Sequence, residues 1–521
     1  MNERFPVHLL LILYIVVLPS GCRSGPPVTE NPAGRTEQQS ATPPAPRTEQ
    51  QILSRQIESA RTLFLKGRYE LSREILRAVD DPSNPEILLL QARIALAQED
   101  PALASFHLKK LLEGEIGVLE PGQKSEVYGL LADLSYNAGD FQAAYQYYLN
   151  TVNLAAGEAP AQTWFRLTEI ALFERADAEA ARIFLTAHRQ MKPTAGQADQ
   201  REELLYKRLI WSTLGSEQLG LNDANISALA VDGDDLWVGT WNGGICRYSI
   251  GQGASTVFEK GRDSLVPRTV RAIEVTPDKV WIGTYQGLYR YTKATSRWQR
   301  IEFFEEKVEA LCAVGDTLYV GTLGSGLWRS KGANWIRVSS GGLPGKFINC
   351  LTLAEDHLLI GTLDLGLVLM EPSSGAAFSF DSVNRSVAAR NIVSLLAEDE
   401  NTLWIGTYGA GLYRWNREAN SIQHFTKSSG RLADDWVLCA VAAESGLYFG
   451  TFGGGVTHLV PKERSWRRIG LRQGLSALDI STAAYAPPRL FFGTLGTGIS
   501  VLNESLVLPD KSGIQYAAET R

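Results

Sequence analysis

The stretch LWIGTYGAGLYRW runs from Leu403 to Trp415 and carries three glycines and four aromatics. Apolar and aromatic residues lead into a Gly-Thr pair, a Gly-rich turn follows, and a second apolar-aromatic run leads out. That pattern reads as two short strands joined by a tight turn. The chain writes it seven times. The Gly-Thr pairs begin at Gly239, Gly283, Gly321, Gly361, Gly406, Gly450 and Gly493, at spacings of 38 to 45 residues.

A further strand signal precedes each copy, opening on Ile226, Val270, Val308, Ile348, Ile392, Val437 and Ile480. An aromatic-edged segment often follows, as in RWQRIEFF from Arg297, NWIRVS from Asn334, SIQHFT from Ser421 and SWRRIG from Ser465. Four strands in a period of about 42 residues describe one blade of a β-propeller, and seven blades close a ring. The repeat register puts Ala228, Ala272, Ala310, Cys350, Ser394, Cys439 and Thr482 at one equivalent place on the innermost strand. Only small side chains fit all seven copies there, so Cys350 and Cys439 read as fillers, not as disulfide partners. Trp237, Trp281, Tyr319, Trp404 and Tyr448 are expected between adjacent blades. The tail after Leu502 is short for a full outer strand, which leaves LGSEQLGL (Leu214–Leu221) to help seal the ring.

The repeated [WY]-[VI]-G-T-x-x-G-G-L-x-R-[YW] unit resembles the two-component regulator propeller repeat. The resemblance implies a seven-bladed propeller. In that family such propellers form extracytoplasmic sensor regions, often ahead of a histidine kinase.

Residues 51–215 follow a different period. Leu, Ile, Ala and Tyr recur three and four residues apart, as in an amphipathic helix. GLLADLSYNAGDFQAAYQYYLNTV resembles a tetratricopeptide repeat, with Ala132 and Ala144 as small packing positions and Gly139-Asp140 as the turn. Similar units pair Gly67 with Ser72, Asp100 with Ala104 and Asp177 with Ala181. The fold class expected is therefore multidomain α plus all-β: a tetratricopeptide-like α-solenoid, then a seven-bladed β-propeller over 220–508. Stacked hairpins suit a protein partner.

Upstream, VHLLLILYIVVL (Val7–Leu18) has the length of a signal-peptide core. Pro19, Ser20 and Gly21 then precede Cys22, which resembles a bacterial lipobox, although Leu18 sits one place upstream of the usual Leu position. Residues 1–21 read as the signal peptide, Cys22 as the lipid attachment site and 22–50 as a Pro-rich tether unable to bury a core. Residues 509–521 form a short tail. The implied location is the bacterial cell envelope, lipid-anchored and extracytoplasmic.

The 521 residues carry a net charge of −6, which argues against a nucleic-acid partner. The six histidines show no metal-ligand spacing, and no CxxC, Walker, GxSxG or HExxH motif is present. No catalytic residue, metal or cofactor is expected. The second-to-third-strand turns and the connectors entering each first strand should share one face. That face gathers Trp241, Tyr285, Tyr408 and Phe452 from the turns, and Arg268, Lys346, Arg390 and Trp436 from the connectors. Aromatics rimmed by cations suit a glycan or a protein segment. The reading is of a non-enzymatic envelope scaffold. Its rivals are an extracytoplasmic sensor feeding a separate kinase, and a propeller enzyme acting on polysaccharide.

Overall fold

The computed structural model describes residues 49–79, 81, 83–113, 119–155, 157–191, 200–258, 268–338, 345–379, 384, 391–461 and 463–507. Cys22, Arg390, the signal peptide, most of the tether and the C-terminal tail lie outside them. The chain divides into two compact units, residues 1–80 and 81–521.

In the first unit α1 (Glu49–Leu65) and α2 (Tyr69–Arg77) form a hairpin. Gly67 turns the chain at φ +72°, and the buried Ser72 hydroxyl donates to the Ala60 carbonyl at 2.7 Å. Three further hairpins open the second unit: α3 (Pro85–Ala97) with α4 (Pro101–Glu113), α5 (Pro121–Asn137) with α6 (Phe141–Leu154), and α7 (Ala161–Phe173) with α8 (Ala178–Met191). Each second helix starts on an aspartate whose carboxylate accepts a first-turn amide. Asp100 takes Leu103 N–H at 2.9 Å, Asp140 takes Ala143 at 3.0 Å and Asp177 takes Ala180 at 3.0 Å. Ala104, Ala132, Ala144 and Ala181 are fully buried, so the paired helices approach at the small residues the pattern marks.

Helix α9 (Gln200–Ile210) runs without a break into the strand Trp211–Leu214. That strand is the outermost of blade seven, paired antiparallel with Ile499–Leu502. The ring is thus sealed slightly upstream of the expected LGSEQLGL, by residues first assigned to the helical region. The physical reason is local. Trp-Ser-Thr-Leu carries aromatic and β-branched side chains, whereas Ser216–Leu219 forms a helical turn beneath blade one. Leu209, Ile210 and Trp211 are buried in one cluster with Leu475, Phe492, Leu502 and Leu506, so the last helices and blade seven share a core.

With that strand included, the described strands form seven four-stranded antiparallel sheets, six of them ordered sequentially from inside to outside. One device repeats in every blade. The small residue of the first strand pairs with the glycine of Gly-Thr, as Ala228 with Gly239 and Cys439 with Gly450. That glycine receives the first residue of the next blade. A Cβ on Gly239 would lie 2.3 Å from Val270 Cγ1, and one on Gly493 would lie 2.7 Å from Ile226 Cγ2, which closes the circle from blade seven to blade one. The small residues crowd the same seam: a Cβ on Gly361 would meet Cys350 Sγ at 2.4 Å. Their size is therefore set by the gap between blades beside the axis. Cys246, Cys312, Cys350 and Cys439 are free thiols, and burial pushes each up to about 12, so they are inert at neutral pH.

Candidate binding face

The face is built from the Gly-Thr turns upward. Each threonine is fully buried, and its hydroxyl donates to the carbonyl of the turn glycine, as Thr407 to Gly411 at 2.7 Å and Thr494 to Gly498 at 2.7 Å. Valine has the shape but no donor, which explains threonine at all seven sites. The turn glycine itself sits at positive φ, +78° for Gly411, and a Cβ there would strike the Phe425 carbonyl at 2.3 Å.

The amide of the next residue donates to the connector entering a first strand. Trp241 reaches Asn225 O at 3.0 Å, Leu363 reaches Phe347 O at 3.1 Å, Tyr408 reaches Asn391 O at 3.1 Å and Phe452 reaches Trp436 O at 3.0 Å. Turns and connectors therefore share one face, as the repeat register implies. Arg268 and Lys346 are exposed on it, and their carbonyls accept the turn amides of Gly244 and Gly326.

Two clusters result. In blades five and six, Tyr408 stacks on Trp436 at 4.4 Å between centroids, and Trp436 stacks on Phe452 at 5.4 Å. Tyr408 is 47% and Phe452 38% exposed, and Phe347 and Leu363 of the neighbouring connector and turn are 38% and 42% exposed. In blades one and two, Trp241 meets Tyr285 edge-on at 6.4 Å. There the ring faces are covered, Trp241 by the Arg271 guanidinium at 4.0 Å and Tyr285 by the Lys307 ammonium at 4.8 Å. The predicted aromatics thus fall into an open set and a cation-capped set.

Sequence reasoning missed Arg271, Glu309 and Phe347. All seven first strands carry a bulge at their second residue. In four of them the extra residue reaches the next blade. Arg271 holds Glu309 through Nε contacts of 3.0 Å to both carboxylate oxygens, and Asn349 donates to the Ile392 carbonyl at 3.0 Å. In the same way Ser227 donates to Val270 O at 2.6 Å, and Ser481 donates to Ile226 O at 2.5 Å. The signal was present as an aliphatic residue, one residue of any kind, then a small one: Val270-Arg271-Ala272 and Val308-Glu309-Ala310.

Other titratable groups have structural partners. Glu274 accepts the Ala313 amide at 2.8 Å, and burial raises its carboxyl above the usual range. His458 stacks on Tyr448 at 4.0 Å, and burial lowers its imidazole to about 4, so it is neutral at pH 7. Among the described residues no group of three or more His, Cys, Asp or Glu is placed to hold a metal, and no helix is long and apolar enough to cross a membrane. What the face offers chemically is exposed aromatic and aliphatic surface beside cations.

The two component regulator propeller family model matches residues 220–242, the entry into blade one and its first two strands. No curated protein matches the sequence. Among solved structures, the chain is similar to the extracellular domain of BT3049, a hybrid two component system protein of B. thetaiotaomicron. The identity is 18% with a TM-score of 0.48, over 57% of this chain and 42% of that one. It is also similar to the extracellular domain of BT4673, a one component system protein of the same organism, at 17% identity and a TM-score of 0.46, over 57% and 43%. PorZ, a surface component of the type-IX secretion system of Porphyromonas gingivalis, matches at 14% identity and a TM-score of 0.42, over 54% and 47%. The chain therefore spans less than half the length of these proteins. The family match thus falls on one repeat, in blade one, of a ring of seven blades.

Proposed function

We propose that this chain is a cell-envelope lipoprotein that binds a ligand or protein on the turn face of its propeller, without catalysis. The observation that supports the reading most is the open stack of Tyr408, Trp436 and Phe452 flanked by Phe347 and Leu363. Large apolar groups left in water on one side of a rigid ring are the usual mark of a recognition surface. Lys346, Arg268 and Arg390 are proposed as its cationic rim, and Trp241 and Tyr285 as its capped continuation. The helical hairpins, read as tetratricopeptide-like, would hold an envelope protein. Lipid on Cys22 would keep both surfaces at the membrane and raise the local concentration of what they bind.

The face is tested by placing a photo-cross-linking amino acid at Leu363 in the full-length protein and irradiating cells. Defined adducts are expected, and Tyr408→Ala with Trp436→Ala should reduce them at least about tenfold, as for a hot-spot pair. The melting temperature should move by no more than about 2 °C, because neither ring belongs to a buried core cluster and their stack lies on the exposed face. Unchanged adducts, or loss of folding, would remove the face from consideration.

Anchoring has its own test. Cys22→Ala should move the protein from the membrane pellet to the soluble fraction and abolish incorporation of labelled fatty acid. A Cys22→Ala protein that still sediments with membranes would refute lipidation at this residue. Ligand sensing with output through a separate kinase is the second reading, favoured by the family match at 220–242.

A further inference from the structure

The two faces of the ring differ in charge. Each inner strand starts on the turn face, where Ile392 pairs with Thr407, and ends at a hairpin on the opposite face, where Ala354 pairs with His357. Those hairpins are acidic in six of the seven blades: Asp234, Asp278, Asp316, Asp356, Asp399 and Glu444 are all exposed. Of these only Asp278 has an ion pair among the described residues, with Lys279 at 2.6 Å. Carboxylates therefore edge the face away from the turns.

The turn face of blades four to six is the reverse. Its exposed Phe347, Leu363, Tyr408 and Phe452 are joined by Leu471, 56% exposed on the connector entering blade seven. Lys346, Arg431 and Arg472 are exposed on the same connectors, with no ion pair among the described residues. The acids nearby are engaged. Asp435 accepts the Lys427 amide at 2.7 Å, and Asp434 pairs with Lys427 Nζ at 3.0 Å. The exposed Asp364 sits beside the Lys346 connector, 3.6 Å from where a Gly345 Cβ would stand.

The directional polar groups of this sector are used up internally as well. Asn349 donates to Asn391 Oδ1 at 2.8 Å and to the Ile392 carbonyl at 3.0 Å. Asp434 Oδ1 takes the Trp436 amide at 3.2 Å. A protein interface needs about one hydrogen bond per 100–200 Å², and a small ligand needs convergent polar groups. A lipid surface needs neither. It takes aromatic rings at headgroup depth, aliphatic side chains just below, and cations near anionic headgroups.

We infer that the turn face of blades four to six seats on an anionic lipid bilayer. Tyr408, Trp436 and Phe452 enter the headgroup layer with Phe347, Leu363 and Leu471. Lys346, Arg431 and Arg472 meet the lipid phosphates. The carboxylate-edged face points away, because an anionic surface repels it. This seating rests on the turn face being a binding surface, and it names what that surface binds.

The test uses the full chain with Cys22→Ala, so that no acyl group holds it to a vesicle. Leu363→Cys on the turn face, or Asp356→Cys on the opposite face, is labelled with a polarity-sensitive fluorophore, since the four native thiols of the ring are inert at neutral pH. With vesicles of phosphatidylethanolamine and phosphatidylglycerol, the Leu363→Cys label should shift to the blue and the Asp356→Cys label should not. Both proteins share one N-terminus, so the difference reads the face alone. Pure phosphatidylcholine vesicles should give a response at least about fivefold weaker, and added salt should weaken the anionic response. Tyr408→Ala with Trp436→Ala should cut the Leu363→Cys response at least about fivefold. A silent Leu363→Cys label, an equal shift at Asp356→Cys, or equal responses to the two kinds of vesicle would each overturn the inference. Protein adducts at Leu363 in cells beside a silent label would overturn lipid docking and leave the turn face standing as a binding surface.

Discussion

Trp211→Ala is expected to destabilise the propeller by about 3–5 kcal/mol, the range for deleting a buried Trp side chain. Trp211 is 8% exposed and lies 6.2 Å from Phe492 between ring centroids. Gly474 makes room for it: at φ +123°, a Cβ on Gly474 would stand 2.3 Å from Trp211 Cδ1. Among the described residues it also begins the one strand of the ring supplied from upstream of blade one, so its loss loosens the closure as well as the core. The melting temperature should fall by roughly 10 °C. Hydrogen exchange should accelerate first at Ile499–Leu502, the strand it pairs with, and last in blades two to four. A melting temperature within about 2 °C of wild type would mean that the ring is not held shut at this strand.

Glu202→Ala should have a similar cost for a different reason. The Glu202 side chain is 4% exposed and takes the Arg189 Nε–H at 2.9 Å, with His188 Nε2 at 3.6 Å. Arg189 is itself 11% exposed and packs its guanidinium 4.6 Å from the Tyr206 ring centre. Removing the carboxylate leaves that cation buried without its counter-ion, a change worth about 3–5 kcal/mol. The effect propagates, because α9 leads directly into Trp211. The urea midpoint should drop with the slope nearly constant. The double variant Glu202→Met/Arg189→Met should recover much of the loss, since it removes the unpaired charge. A double variant no more stable than Glu202→Ala would show that packing, not charge, governs this joint.

The blade was legible because its requirements are local. Positive φ at the turn glycine, the hydroxyl of the preceding threonine and the alternation of apolar residues act within about ten residues, and each leaves a residue type behind. The hairpin turns of the helical region were legible for the same reason, at Gly67, Gly139 and the capping aspartates Asp100, Asp140 and Asp177. The candidate face was half legible. Tyr408, Trp436 and Phe452 could be placed on one face by counting from Gly-Thr. Counting did not reveal that Arg271 and Lys307 cap Trp241 and Tyr285, because those contacts join different blades.

By itself the sequence determined the number of blades, the strand order within each, the glycine and small-residue seam, and the succession of helices before the ring. All of these rest on short-range backbone chemistry repeated often enough to stand out. The tertiary structure alone decided where the ring closes, which inner-strand residues bridge blade to blade, and which face aromatics are covered by cations. Those depend on residues far apart in sequence. Trp211 meets Leu502 and Gly474, Ser481 meets Ile226, and Lys307 covers the Tyr285 ring. A side chain's type does not reveal the volume or charge of a neighbour that only folding brings beside it.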